Sequence, residues 1–208
     1  MHGYSIELDL RGRIALVVGF GAVGRRKAAG LLAAGAGVIA VDPAGAVESA
    51  FEGVELRVEA YRSEHLRGVS LVVAAGPGDV NMRVVADAKE AGVWVNSASD
   101  PSAGDFRVPA VWREGGVTLT VSTAGASPAL ASALRDRAAE ALGGVAAGLA
   151  ATLAELRPVV LARLLDPAAR RRVLGEWGNP RWLALFKEGG AEAVRGELER
   201  RVDAEEGG

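Results

Sequence analysis

Three glycines, Gly19, Gly21 and Gly24, stand in the hexapeptide GFGAVG, directly after the apolar run RIALVV and before the Ala- and Leu-rich stretch that ends at Gly35. A strand that ends in such a loop and passes into a helix makes a cradle for a pyrophosphate. Gly19 permits the tight turn, Gly21 lets backbone approach the phosphates, and Gly24 lets helix and strand pack closely, while the helix N-terminus stabilises the negative charge. Ala22 and Val23, at the start of that helix, complete the loop's contact set. Asp42 ends the second apolar run, 18 residues after Gly24. A carboxylate there accepts hydrogen bonds from ribose hydroxyls and repels the extra phosphate of NADP, which favours NAD. Arg25 and Arg26, beside the loop, work against that preference. Pro43, Ala75 and Gly76 are the remaining expected cofactor contacts, and Gly76 and Gly78 allow main-chain approach.

These residues need a scaffold, and the chain between Arg13 and about Ser122 supplies its pattern. The runs RIALVVG, GVIAVD, ELRVEA, SLVVAA and VWVNSA read as buried strands, with helices through AVGRRKAAGLLAAG and DVNMRVVADAKEAG. Continuous apolar strands alternating with helices predict a parallel sheet covered on both faces, a doubly wound Rossmann-like α/β domain. DFRVPAVWREGGVTLTVST reads as two β segments joined by a Gly-rich turn, which either extend the sheet or build an interface. After Thr123 the pattern is helical. Ser127-Pro128, Asp166-Pro167 and Asn179-Pro180 each open a helix with a capping side chain and a proline in the first turn. The expected organisation is a cofactor-binding domain over 1–112, a dimerisation segment of strand and helix over 113–143, and a small helical domain over 144–208, with DAEEGG as a frayed tail.

Composition narrows the partners. Lys and Arg total 24 against 26 Asp and Glu, a formal charge of -2, so nothing draws the chain to nucleic acid and an anionic ligand must meet a local basic patch. The sequence has no cysteine, which excludes a disulfide framework, a thiolate nucleophile and a Cys-based zinc site, and suits a reducing cytoplasm. The start lacks the features of a signal peptide. Apolar stretches such as LLAAGAGVIAV stop short of the roughly 20 residues that span a bilayer, so no membrane partner is expected. Of the two histidines, His2 sits at the terminus and His65 reads as a surface or helix-end residue. Neither pairs with a second ligand at metal-site spacing, and no metal ligand is assigned.

VVGFGAVGRRKAAGLLAAGA, the Val80-Asn81 pair and the long segment VNSASDPSAGDFRVPAVWREGGVTLTVSTAGASPALASALRD, in that order, resemble the siroheme-synthase amino-terminal family, the precorrin-2 dehydrogenases. The resemblance covers about residues 5 to 143. It implies an NAD-dependent dehydrogenation of the anionic tetrapyrrole precorrin-2 to sirohydrochlorin, carried out by a homodimer. Some members also insert iron or cobalt, and that activity stays open here.

Such a dehydrogenation sends a hydride to the nicotinamide and releases a proton, so one positioned base suffices, and a carboxylate can serve. The family's catalytic Asp falls three residues after the Asn, which is Ser99 counted from Asn96. Asp100, the next residue, becomes the candidate base, with a plain turn role before Pro101 as the alternative, and Asp105 is in reserve. A substrate rich in carboxylates calls for basic and hydroxyl side chains: Arg107, Arg113, Ser122, Thr123 and Ser127 are the candidates. Ser127 is also explained by simple capping. Arg135 and Arg137 read equally well as a salt-bridged face, and Arg170 to Arg172 as solvated charge. Asn81 either caps its helix or orients the neighbouring loop, capping being the plainer reading. Two other functions remain open, an NAD-sensing dimer that catalyses nothing and a Rossmann dehydrogenase of another small metabolite.

Overall fold

The computed structural model describes residues 3–45 and 51–207, so His2 lies outside the described residues. The chain divides into two compact units, Met1–Val108 and Pro109–Gly208.

In the first unit the expected strands form at β1 (Ile14–Val18), β2 (Gly37–Val41), β3 (Val54–Arg57), β4 (Leu71–Ala74) and β5 (Trp94–Ser97). They make one five-stranded sheet in the order β3-β2-β1-β4-β5, with every pairing parallel. Helices α1 (Ala22–Ala33) and α2 (Gly78–Ala91) are the crossovers. Because side chains alternate along a strand, β1 feeds two cores at once. Leu16 and Val18 join Val72, Val84, Ala88 and Val95 in one, and Ala15 and Val17 join Ala28, Val38, Ala40 and Val73 in the other. Strands buried on both faces explain the uninterrupted apolar runs of the sequence. The order reverses at β1, so the crevice beyond the carboxyl ends of β1 and β4 is where such sheets hold ligands.

The second unit opens with β6 (Ala110–Glu114) and β7 (Val117–Val121), an antiparallel pair separate from the parallel sheet. The two segments therefore do not extend that sheet. Ala110 to Trp112 lie on β6 and go with the second unit, so the boundary expected at 112 runs through this strand. Three helices follow: α3 (Pro128–Arg163), α4 (Pro167–Gly175) and α5 (Arg181–Glu206). The first and last are each interrupted by a glycine in the left-handed half of backbone space, Gly143 in α3 and Gly190 in α5. Leu149, Leu156 and Val160 of α3 meet Trp182, Val194, Leu198 and Val202 of α5 in this unit's core. Gly148 makes the approach possible, since a Cβ there would lie 2.4 Å from the Phe186 ring.

Two expectations change here. By length and composition α3 is apolar enough to cross a membrane, contrary to the estimate from contiguous apolar runs, because Ala, Leu and Val recur along it with few charges. Core helices of soluble proteins pass the same test, and α3 packs on α5. The tail is helical to Glu206 rather than frayed, with Asp203 and Glu206 both accepting hydrogen bonds from Arg163.

Candidate functional site

The glycine loop is shaped by contacts between backbones. Gly19 sits at φ 89°, and a Cβ on it would lie 2.4 Å from the Gly76 nitrogen; a Cβ on Gly24 would lie 2.0 Å from the Gly19 carbonyl oxygen. Neither position can hold a larger residue without moving the loop. Gly21, by contrast, has open space where its Cβ would be. It is the N-cap of α1, no side chain caps that end, and its first turn holds no acid. The N-terminal N–H groups, with Ala22 and Val23 exposed at this end, thus fit an anionic ligand.

Asp42 follows β2 and is partly buried. One carboxylate oxygen accepts the Phe20 N–H at 2.6 Å and the other accepts the Ala44 N–H at 2.9 Å. The acid therefore fastens the glycine loop to the strand beside it, and each oxygen keeps a lone pair for a ribose hydroxyl. Pro43 beside it is exposed. Gly19 and Asp42 are brought together on one edge, and the loop closes further through the Gly19 N–H bonded to the Val41 carbonyl at 2.9 Å. Arg25 is partly buried and Arg26 exposed on α1. Next to them, burial and then the neighbouring Arg26 charge push the Lys27 ammonium below its ordinary pKa.

Beyond β4, the Ala75 N–H continues the ladder to the Val18 carbonyl at 2.7 Å, and Gly76 follows in contact with Gly19. Asn81, 1% exposed, holds this turn: its Oδ1 accepts the Gly76 N–H and its Nδ2 donates to the Gly76 carbonyl, both at 2.9 Å. The α2 N-cap is Pro77 and no side chain caps it, so Asn81 orients the loop and does not cap the helix.

The loop after β5 carries the candidate base. Asp100 is exposed; its Oδ1 accepts the Ser102 N–H at 2.9 Å and the Ser102 hydroxyl at 2.5 Å. Those bonds to the charged form hold its carboxyl below the ordinary Asp value. The Asp100 N–H donates to Ser97 Oγ at 3.2 Å, and Ser97 and Ser99 hydroxyls stand 3.5 Å apart. Asp105 is turned back onto the sheet, accepting the Val95 N–H at 3.0 Å while its own N–H reaches the Val95 carbonyl at 2.7 Å. Asn96 donates to the Phe106 carbonyl at 2.8 Å, and its buried Oδ1 has no partner. Arg107 is exposed just after this loop.

In the second unit, Arg113 is exposed on β6. Ser122, Thr123 and Ser127 do gather at the start of α3. The Thr123 hydroxyl donates to the Ser127 carbonyl at 3.0 Å and accepts its N–H at 3.1 Å, Ser127 Oγ caps α3 through the Leu130 N–H at 3.1 Å, and Ser122 Oγ takes the Ala124 N–H at 3.2 Å. All three hydroxyls serve the turn, which holds Ala124 at φ 53°. Arg135 pairs with Asp136 at 2.5 Å. Of the basic run at 170–172, Arg172 pairs with Glu205 at 2.5 Å, and Arg170 is half-buried and caps the α3 carboxyl end through the Leu161 and Leu164 carbonyls. Arg171 and Arg172 are exposed, as expected of solvated charge, and Arg170 is the exception.

His65 is buried, not a surface residue, but it does stand at a helix end, in the last turn of the short 3-10 helix Ser63–Leu66. Its Nδ1 accepts the Arg62 N–H at 3.0 Å, which leaves Nε2 to donate to Glu59 at 3.1 Å and keeps the Glu59 carboxyl below its ordinary pKa. Among the described residues no three His, Asp or Glu side chains converge. The Asn81 grip on Gly76 is the loop-orienting alternative, not the plainer capping one, while two features escaped sequence reasoning: the Asp42 bond to Phe20 and the place of Ser97 in the Asp100 loop. Neither had a signal in the sequence, the first because its partners are brought close only by the fold.

Comparisons with known proteins agree with this geometry. The family NAD_binding_7, described as "Putative NAD(P)-binding", matches residues 6–110. The siroheme synthase of Nitrosospira multiformis is 33% identical over 214 residues, covering 99% of this chain and 45% of that protein. The siroheme synthase of Chromobacterium violaceum is 34% identical over 209 residues, covering 98% of this chain and 44% of that protein. The chain thus spans less than half the length of these relatives. The solved structure of "SirC, precorrin-2 dehydrogenase" superposes with a TM-score of 0.72 at 25% identity, covering 95% of this chain and all of the other. A glycine loop with its acid, on a sheet of this order, and a family match over half the sequence place the chain in the NAD(P)-binding family its motifs resemble, that of the siroheme-synthase amino-terminal domains and precorrin-2 dehydrogenases.

Proposed function

We propose that the chain is an NAD-dependent precorrin-2 dehydrogenase that yields sirohydrochlorin for siroheme or cobalamin synthesis, acting as a cytoplasmic homodimer with 113–143 at the contact between copies. The observation that carries the reading is the row of turns at the carboxyl ends of β1, β4 and β5. Gly19 and Gly76 touch backbone to backbone, and the Ala98 N–H extends the row by bonding to the Ala74 carbonyl at 2.9 Å. A dinucleotide seated at Gly21 with its ribose on Asp42 therefore has the Asp100 loop on the same edge of the sheet. Asp42 favours NAD over NADP by repulsion of a second ribose phosphate. The substrate class comes from the names of the siroheme synthases and of SirC.

The nicotinamide of a dinucleotide held at Gly21 and Asp42 would supply the acceptor for a hydride. The protein's part is to hold the reactants and take the proton. As one C–H bond of the macrocycle gives up its electron pair with the hydride, Asp100 accepts the proton from the neighbouring atom, and the pair left behind becomes the new double bond. Ser102 donates two hydrogen bonds to one Asp100 oxygen, which hold the carboxyl below the ordinary Asp value and fix its direction. Arg107 and Arg113 are assigned to the substrate carboxylates, with the hydroxyl protons of Ser122 and Ser127, which the turn does not use; Thr123 spends its own on the Ser127 carbonyl.

The test is an anaerobic incubation of the protein with precorrin-2 and NAD, following the visible spectrum and NADH together. NADH formed in step with spectral conversion is expected. Tight NAD binding without conversion would instead favour the sensor, a reading kept in view because Ser99 stands where the family carries its acid.

A further inference from the structure

We propose that Asn81 is a positioning residue that ties the Gly76 turn to Ser99, so that the cofactor turn after β4 and the Asp100 loop after β5 are held as one unit. The inference rests on the dehydrogenase reading above. Asn81 uses its amide fully: Oδ1 on the Gly76 N–H, one Nδ2 proton on the Gly76 carbonyl, and the other on Ser99 Oγ at 3.0 Å. At 1% exposure the Asn81 amide has no water as a substitute partner, whereas Gly76 is part-exposed and Ser99 exposed. One side chain thus satisfies both main-chain groups of a residue that touches Gly19 and, from the same nitrogen, anchors the loop that carries the candidate base.

The bond also sets the direction of the Ser99 hydroxyl. An amide nitrogen only donates, so Ser99 Oγ must accept from Asn81, and its own proton is left for Ser97 Oγ at 3.5 Å or for a bound ligand. Ser97 in turn accepts the Asp100 N–H at 3.2 Å. The chain Gly76, Asn81, Ser99, Ser97, Asp100 is continuous. Where the resemblance places an acid, this protein has a tethered hydroxyl that acts through the position of its neighbour.

The experiment compares the full-length protein with Ser99→Ala, Asn81→Ala and the double variant. It measures NAD affinity by calorimetry, and kcat and KM with precorrin-2 under anaerobic conditions. Ser99 is exposed, so Ser99→Ala is expected to fold and melt like the parent. It should lower kcat about tenfold while NAD affinity stays within about twofold, the cost of misplacing a reacting group rather than of losing binding. Asn81→Ala should lower kcat and also weaken NAD binding by about fivefold or more, the value of one lost hydrogen bond. The double variant should be no slower than Asn81→Ala alone, because the two residues act through one bond. Multiplicative losses, or a Ser99→Ala enzyme with the parent kcat, would overturn the proposal while leaving the dehydrogenase reading intact, and the Ser99→Ala result decides even if Asn81→Ala does not fold. A parent protein that neither binds NAD nor converts precorrin-2 would remove the dehydrogenase reading itself, and this inference with it.

Discussion

The turn after β1 and the loop after β5 lie on the same edge of one sheet, yet they are held by different physics. The first is fixed by excluded volume: Gly19 and Gly24 are in places where a single added carbon meets backbone at 2.4 Å and 2.0 Å. The second is fixed by side-chain hydrogen bonds among Ser97, Ser99, Asp100, Ser102 and Asp105, most of them on exposed residues. Steric fixation is all or none and leaves a rigid residue pattern in the sequence. Hydrogen-bonded fixation admits substitutes, and in this loop Ser99 stands where the resemblance expects Asp.

That contrast can be broken at its strong end with Gly24→Ala. The new methyl must displace the Gly19 carbonyl, so the variant is expected to lose about 1–3 kcal/mol of stability and nearly all NAD affinity, read by thermal melting and calorimetry. A variant that binds NAD normally would mean the turn is held by something other than volume. At the hydrogen-bonded end, Asp100→Asn should leave the melting temperature and NAD affinity almost unchanged but cut kcat by about two to four orders of magnitude, the range for a general base. Full activity would reduce Asp100 to a turn residue. The smallest effect belongs to Ser102→Ala. Ser102 holds the Asp100 carboxyl below its ordinary value, so removing its hydroxyl raises that pKa. Activity that needs ionised Asp100 is then lost at a higher pH as the solution is acidified, and the acid limb of the kcat profile moves up. A limb that stays put would show that another group sets it.

The same division explains what was legible in the sequence. Strands β1 to β5 and helices α1 and α2 announce themselves through periodicity, and the glycine loop through spacing, because each depends on residues close together in the chain. Ser127 and Asp166 capped as expected for the same reason, each reaching only three residues ahead. What stayed hidden depends on partners far apart: the Asp42 bond to Phe20, 22 residues back, and the reach of Asn81 to Ser99 across 18 residues. Nor does local pattern distinguish Gly143 and Gly190, which interrupt α3 and α5, from glycines such as Gly148 that a helix simply tolerates.

The carboxylate of Asp42 has a consequence for how this protein can evolve or be re-engineered. Replacing the acid after the second strand with a neutral residue is the direct route to accepting a phosphorylated ribose. Here one oxygen of that carboxylate is the partner of the Phe20 N–H, in a residue only 2% exposed. Removing it leaves a buried donor without a partner, at about 1–3 kcal/mol. A change of coenzyme preference therefore passes through a less stable intermediate unless a second substitution first gives Phe20 another acceptor, and the two changes are coupled in their effect on fitness.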